Sequence, residues 1–290
     1  MESLITIITP TYNRSNELVH LFESLENQKQ YNFVWLIIND GSTDNTKEIV
    51  SHFITPHFKI FYLEKENGGK HTALNLAFKH IKTELSFIVD SDDYLLPEAT
   101  QVIQADWENY KSKDICGISY LRGYSAEKVI GDICSSDYLI DNFINIRFNQ
   151  HVGGDKAEVW VTKYLVEYSY PEFDGEKFFG ESYIWIKMAQ KRDMLFRNKI
   201  IYITEYLEGG LSKSGRTLRI KCPQGGMKSA EMMMMPNFSL AQRIKGGILY
   251  CCYFFFLPFK RIRLKGKFLW IKLLCLIPGF FLYLCWRRFK

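Results

Sequence analysis

The stretch Leu85-Ser86-Phe87-Ile88-Val89-Asp90-Ser91-Asp92-Asp93 decides how this chain is read. Its apolar half, rich in β-branched and aromatic side chains, has the pattern of a buried strand. The strand stops at three carboxylates with only Ser91 among them. Crowded carboxylates repel one another unless a cation neutralises them, and hard oxygen donors suit Mg²⁺ or Mn²⁺. In a parallel α/β sheet, ligands bind beyond the carboxyl ends of strands, which is where these acids fall. The competing reading is a polar turn with a helix N-cap ahead of Leu95-Leu96-Pro97, and it applies best to Asp93.

The segments upstream repeat this rhythm. Leu4-Ile5-Thr6-Ile7-Ile8 is a short strand closed by Thr9-Pro10-Thr11-Tyr12-Asn13-Arg14, after which Leu18, Leu21, Phe22 and Leu25 recur at helical spacing. Residues 33–38 form a second strand ending in the turn Asn39-Asp40-Gly41-Ser42, and Thr43 or Asp44 can cap the following helix. A third strand, 58–63, leads through Glu66-Asn67-Gly68-Gly69 to a helix over 72–81. Strands alternating with helices predict a mostly parallel sheet with crossover helices, and polar residues collect where each strand stops. Two nucleotide signatures are absent. No Gly-x-Gly-x-x-Gly follows the first strand. Gly69-Lys70-His71 fails as a P-loop because Glu64 stands where glycine is required and His71 where Ser or Thr is required.

The chain has 290 residues, enough for one large domain with an appendage. The net charge of +5 conceals an asymmetry: no acidic residue follows Glu231, yet the remaining 59 positions carry 11 Lys and Arg, so residues 1–231 are net −6. Seven cysteines without a Cys-x-x-Cys suggest a reducing compartment rather than a zinc site or a disulfide framework. The N-terminus lacks a basic region leading into an apolar segment, so no signal peptide is expected.

Four segments in order, Thr-Pro-Thr-Tyr-Asn-Arg (9–14), Ile-Asn-Asp-Gly-Ser-Thr-Asp (38–44), Asn-Gly-Gly-Lys (67–70) and Val-Asp-Ser-Asp-Asp (89–93), resemble the family 2 glycosyltransferases of the GT-A fold. The likeness is close over roughly the first 120 residues and looser to about 215, where Glu-Tyr-Leu-Glu-Gly-Gly-Leu-Ser (205–212) looks like a segment of bacterial polysaccharide glycosyltransferases. The resemblance implies an α/β GT-A fold, with a mixed, mostly parallel sheet flanked by helices. It also implies a nucleotide-sugar donor, of UDP type, and a Mn²⁺ or Mg²⁺ cofactor. By the same likeness Pro10, Thr11, Tyr12, Asn13 and Arg14 would line the nucleoside pocket, and Asp40 would accept a hydrogen bond from the base. Lys70 would approach the diphosphate or the first aspartate. Asp90 and Ser91 would lie on the donor-sugar side, and Asp92, with Asp90, would hold the metal in an Asp-x-Asp arrangement. The chemistry needs these types independently, because a diphosphate leaving group gathers charge as the glycosidic bond breaks.

Residues 115–121 read as another strand, while Asp132, Asp137 and Asp141 carry no assignment. Asp155 and Lys156 sit in a glycine loop, either facing an acceptor or on the surface, ahead of a helix over 162–168. A helix over 182–191 opens at Glu181-Ser182, where the family commonly carries an acidic pair whose second member is the base. Serine cannot be that base at neutral pH, so the role passes to Glu181, with Glu176 in reserve. Trp185 is either a sugar-stacking ring or core. Residues 200–203 read as a strand, and Ser212, Lys213 and Arg216 are candidate phosphate contacts. His71 and His151 read as structural.

Met232 to Met235 suggest soft helix packing. Beyond Pro236 two uncharged stretches, 248–259 and 273–286, fall short of the ~20 residues a spanning helix needs. With the cations of 260–267 and 287–290 and the rings of Trp270 and Trp286, they suggest helices lying on an anionic membrane rather than a nucleic-acid surface. A helix pair in the core and an oligomer interface are the alternatives. The expected organisation is a glycosyltransferase domain over 1–235, divided into a nucleotide-binding half (1–120) and an acceptor half (121–235), with a membrane-associating tail over 236–290. The expected function is inverting transfer of a hexosyl or N-acetylhexosaminyl group to a lipid-linked or growing polysaccharide, at the cytoplasmic face of the cell membrane, in bacterial surface glycan or capsule synthesis. A nucleotide-sugar-binding scaffold that has lost turnover is the rival, kept open by Ser182.

Overall fold

Burial is unbroken along β1 (Ile5–Thr11), the mark of a central strand covered on both faces. In this computed structural model, which describes residues 3–204, 215–258, 264 and 266–289, β1 lies between two parallel neighbours. On one side is β2 (Phe33–Asn39), which in turn pairs in parallel with β3 (Lys59–Glu64). On the other is β4 (Leu85–Ile88). The crossover helices are α1 (Ser15–Glu26), α2 (Thr46–Ser51) and α3 (Lys70–Phe78). Helix α1 buries Leu18, Leu21 and Leu25, and its half-buried Phe22 stacks on Phe53 with ring centroids 4.5 Å apart. The chain thus winds outward from β1 through β2 to β3 and returns to the far side of β1 as β4. That reversal creates the switch point at which ligands of open α/β sheets bind.

The acidic stretch is not one strand. After β4 the chain turns through Asp90–Asp92 and re-enters the sheet as β5 (Asp93–Leu95), which pairs antiparallel with a strand much later in the sequence. Next come α4 (Ala99–Tyr110), β6 (Ile115–Gly123), β7 (Leu139–Asp141), β8 (Lys156–Val161), α5 (Thr162–Leu165) and β9 (Asp193–Thr204). Among the described residues nine strands form one sheet in the order β3-β2-β1-β4-β8-β6-β9-β5, with β7 also on β9. Strand β8 runs antiparallel to both β4 and β6, whereas β6 and β9 are parallel. The sheet is therefore mixed, as the GT-A expectation requires.

Several boundaries differ from the sequence expectation, each for a visible reason. The helix expected over 72–81 begins at Lys70, because Gly69 at φ 95° ends the preceding loop, and it stops at Phe78. The helix expected over 162–168 stops at Leu165. The strand expected over 200–203 extends back to Asp193, because Arg197, which breaks the apolar run, is buried on β9 and ion-paired with Asp106 and Asp137. Lys156 is neither a surface nor an acceptor-facing residue. It is buried, and its Nζ donates to the carbonyls of Asp132 (2.7 Å) and Gly153 (2.9 Å), fastening the glycine loop.

Two compact units divide the chain. The first holds Met1–Asn142, Val152–Ser169 and Lys191–Glu205, and the second holds Phe143–His151, Tyr170–Gln190 and Tyr206–Lys290. The second unit contains α6 (Ser182–Ala189), α7 (Gly215–Lys221), α8 (Pro223–Met232), α9 (Leu240–Phe256), α10 (Leu269–Leu274) and α11 (Leu276–Trp286). Helices α9 and α11 meet at small residues: a Cβ on Gly279 would lie 2.3 Å from Cβ of Cys251. Met234 is fully buried in a cluster with Ala230, Tyr250, Cys251 and Cys275, so the methionine run does enter a core. Lys272 is fully buried, with its Nζ 2.8 Å from Oε1 of Glu231 and 4.1 Å from the centre of the Tyr250 ring. All seven cysteines are free. No helix among the described residues is long and apolar enough to cross a membrane.

Candidate active site

The carboxyl ends of β1, β2 and β4 gather most of the residues singled out in the sequence. At the end of β1, Pro10 and Thr11 are still strand residues and are buried, while Tyr12 is 47% exposed. Asn13 takes a left-handed conformation (φ 51°); its N–H donates to Ser42 Oγ (2.9 Å) and its Oδ1 accepts from Thr43 N (2.8 Å). The β1 and β2 loops are thereby stitched together. Asp44 tightens the seam, accepting from Ser15 N and Thr46 N at the starts of α1 and α2. Its pKa lies below the usual carboxylate range, because these hydrogen bonds outweigh its partial burial. Arg14 pairs with Glu17 at 3.2 Å.

Asp40, at the end of β2, is buried and fully engaged. Its Oδ1 accepts from Lys65 Nζ (2.7 Å) and Gly68 N (3.0 Å), and its Oδ2 from Gly69 N (2.7 Å) and Asn67 Nδ2 (3.1 Å). The carboxylate therefore shapes the 65–69 loop, and Gly41 (φ 74°) permits the approach, since a Cβ there would lie 2.7 Å from Asn67 N. That loop ends at Lys70, the first residue of α3.

Lys70 reaches Asp90, with its Nζ bonded to Oδ1. Asp90 Oδ2 faces Arg122 NH1 at 3.5 Å, and the same nitrogen lies 3.3 Å from Oδ2 of Asp93. The Tyr202 hydroxyl completes the group by donating to Asp93 Oδ2 (2.6 Å) and accepting from Asp90 N (3.0 Å), and Arg122 lies over the Tyr202 ring at 4.0 Å. Burial pushes the Asp90 carboxyl up, but Lys70 and Arg122 outweigh it and leave its pKa below the usual range. Asp93 is pushed up to about 7, first by burial and then by the charge of Asp90. Asp92 is raised by the same two causes. The decisive difference is that Asp92 forms no ion pair among the described residues, although Asp90 and Asp93 do. Ser91 between them is buried.

Two oxygen-donor carboxylates at a strand end fit a hard divalent ion, and of the three carboxylates here Asp92 is the one without an ion pair among the described residues. Among the described residues no three acidic, histidine or cysteine side chains converge into a protein-only metal site. Mg²⁺ commonly takes only one or two carboxylates from a protein, so such a pair would suffice.

Arg122 and Tyr202 were missed in the sequence. Arg122 ends the apolar run of β6, and a lone arginine near the close of a buried strand was the available signal. Tyr202 looked like any strand aromatic. In the second unit, Glu181 immediately precedes α6, with its carbonyl accepting from the Tyr170 hydroxyl at 3.3 Å. Glu176 is a structural cap: its carboxylate accepts from Gln224 N (2.7 Å) and Gly225 N (2.8 Å) at the start of α8. Trp185 is buried beside the equally buried Ile184 and Met188. His71 is buried on α3, and His151 lies 3.4 Å from Gln242 Nε2. Residues 205–212, Ser212, Lys213, the side chain of Arg216 and most of the basic run 260–267 lie outside the described residues.

Relatives share this sequence pattern and this fold. An uncharacterized glycosyltransferase of Mycoplasma pneumoniae, the MG025 homolog, is 40% identical over 106 residues, 35% of this chain, which spans 36% of that protein's length. Glycosyltransferase GlyG of Streptococcus pneumoniae is 26% identical over 236 residues, covering 76% of this chain and 74% of GlyG. Among solved structures, S. aureus TarS 1-349 in complex with UDP-GlcNAc superposes with a TM-score of 0.62 at 16% identity, over 98% of this chain and 92% of that one. The mannosyltransferase PcManGT from Pyrobaculum calidifontis, in complex with GDP-Man and Mn²⁺, gives 0.59 at 18% identity, over 99% and 83%. The likeness to these structures carries the GT-A fold. Residues 6–151 match the family Glycosyl transferase family 2. The chain belongs to that family.

Proposed function

We propose that this chain transfers a hexosyl or N-acetylhexosaminyl group, with inversion, from a UDP-sugar to a lipid-linked or growing polysaccharide acceptor in bacterial surface glycan synthesis. The observation that carries the reading is Asp92, without an ion pair among the described residues, beside a fully paired Asp90 at the switch point of the sheet. The complexes of TarS with UDP-GlcNAc and of PcManGT with GDP-Man support a nucleotide-sugar donor on this fold.

Each residue has a role in this reading. Tyr12, exposed at the end of β1, offers a ring to the base, and the seam made by Asn13 and Ser42 fixes the loop that presents it, with Pro10, Thr11 and Arg14 around it. Asp40 acts through the backbone it holds: it sets the 65–69 loop and so the position of Lys70. Lys70 and Arg122 supply positive charge at the strand end, where a departing diphosphate gathers negative charge. Asp92, with Asp90 beside it, would hold Mn²⁺ or Mg²⁺, which when bound would supply positive charge for the leaving diphosphate. Glu181 takes the proton of the acceptor hydroxyl, since Glu176 is occupied in capping α8.

The tail reading belongs to the same proposal. Trp270 and Leu274 are each 80% exposed, Ile277 is 69% and Phe281 61%. These residues recur at helical spacing, with exposed Lys267, Arg287 and Arg288 nearby and no acid beyond Glu231. They suit the headgroup region of an anionic membrane on the cytoplasmic side.

The test is UDP release by purified protein from a panel of UDP-sugars with Mn²⁺, with and without membrane extract. Extract-dependent release from at least one donor is expected. Donor binding without release, for every donor, would sink the transferase reading. Glu181→Gln should retain donor binding and stop transfer; an active variant removes Glu181 as the base. For the tail, Trp270→Glu with Leu274→Glu should abolish co-sedimentation with phosphatidylglycerol vesicles, and unchanged sedimentation refutes the membrane assignment.

A further inference from the structure

The second unit carries a half-open cavity of about 290 Å³ bordered by α6, α7, α8 and α9. Its walls are aromatic: Phe148, Phe178, Phe179, Tyr183 and Tyr253 all contribute. Phe179, Tyr183 and Tyr253 are about 95% buried, so they form its interior. The wall from α8 is made of small residues, and a Cβ on Gly226 would meet the Tyr253 ring at 2.8 Å. Two cations line the same cavity, Arg219 from α7 and Lys245 from α9. Both are exposed, so the charge sits at the rim. Neither forms an ion pair among the described residues, and no acidic side chain lines the cavity there. Glu176, whose carboxylate meets the Gly225 backbone beside the cavity, is already held by two backbone N–H groups.

An apolar interior with an unpaired cationic rim is complementary to an apolar chain that ends in an anion. The volume is at the lower end of the ~300–1,000 Å³ usual for ligand pockets, room for about ten groups of the ~30 Å³ size of water. The cavity is also lined by Gly180 and Ser182, on either side of Glu181. We infer that this cavity binds the lipid end of the acceptor, an apolar chain ending in a phosphate, with Arg219 and Lys245 on the phosphate and the first ten or so carbons among the aromatic rings. The inference rests on the transferase reading for the word acceptor, but the binding itself does not require turnover.

The experiment is a calorimetric titration of the full chain, without sugar donor, using geranyl phosphate, geraniol, inorganic phosphate and dihexanoyl phosphatidylglycerol. Geranyl phosphate should bind at least tenfold more tightly than any of the other three. The Arg219→Ala/Lys245→Ala variant should lower its affinity to that of geraniol, and Ser229→Phe, which fills the cavity, should remove both. A near-ultraviolet circular dichroism spectrum like that of the unsubstituted chain reports that each variant is folded, and the surface double variant keeps the test decisive if Ser229→Phe does not fold. Equal affinity for geraniol, or geranyl phosphate binding unchanged in the double variant, overturns the inference. Equal affinity for phosphatidylglycerol assigns the cavity to bilayer lipid and overturns the acceptor assignment. Geranyl phosphate binding in a protein that releases no UDP from any donor would sink the transferase reading and leave the cavity's ligand chemistry standing.

Discussion

Asp40 and Asp92 both follow strands that flank or neighbour β1 in one sheet, yet their surroundings are opposite. Asp40 receives four hydrogen bonds from its own chain and faces no unmet demand. Asp92 sits among charges that pair with one another and leave it out. A saturated carboxylate is scaffold, and an unsaturated one at a switch point is where a ligand completes the electrostatics. The two turns resemble each other in sequence, so the partners distinguish them and the residue type does not.

Substitutions can break this contrast. The largest effect is expected for Asp92→Asn, which should lower UDP release about a thousandfold, the magnitude of losing one preorganised charge-stabilising group. Its melting temperature should hold or rise. Burial and Asp90 raise the Asp92 pKa, so its ionised form opposes folding at neutral pH and the neutral amide relieves that opposition. Arg122→Met should destabilise by about 3 kcal/mol, because it strips the counter-charge from two carboxylates, one of them 4% exposed. Urea denaturation measures this, and adding Asp93→Asn should recover about 1 kcal/mol. Asp40→Ala should lose about 2 kcal/mol of stability by orphaning the N–H groups of Gly68 and Gly69. It should also raise the donor KM more than it lowers kcat, since Lys70 loses its fixed start. Glu176→Gln should shift stability by only about 1 kcal/mol through the α8 cap and leave transfer intact, in contrast to Glu181→Gln.

The strands of the first 90 residues were legible because each is a largely apolar run that stops at polar residues. The contact of Lys70 with Asp90 is one of the two placements that the family resemblance implied for Lys70, the diphosphate being the other. Arg122 and Tyr202 were not legible, since they meet Asp90 across 32 and 112 residues of sequence and arrive on strands whose neighbours no local pattern specifies. Periodicity gives strands without their order, so the antiparallel insertion of β8 beside β4 stayed hidden. Lys156 misled for a related reason: charge suggests a surface, yet it is buried where two carbonyls receive it. Arg197 interrupts the apolar run ahead of 200–203, yet it is buried on β9 between two carboxylates. Glu176 looked like a catalytic reserve because its two partners lie 48 and 49 residues downstream.

The strand order also governs how the molecule can be divided. The family match ends at residue 151, yet β8 (Lys156–Val161) lies between β4 and β6, and β6 pairs only with β8 and β9 among the described strands. A fragment cut at the family boundary would present β4 as a naked edge and leave β6 without a partner on either side. Unpaired edges of apolar strands recruit other chains. Expressed alone, the region that carries every donor-side motif is therefore expected to be an aggregation hazard, and soluble truncations should retain residues through β9.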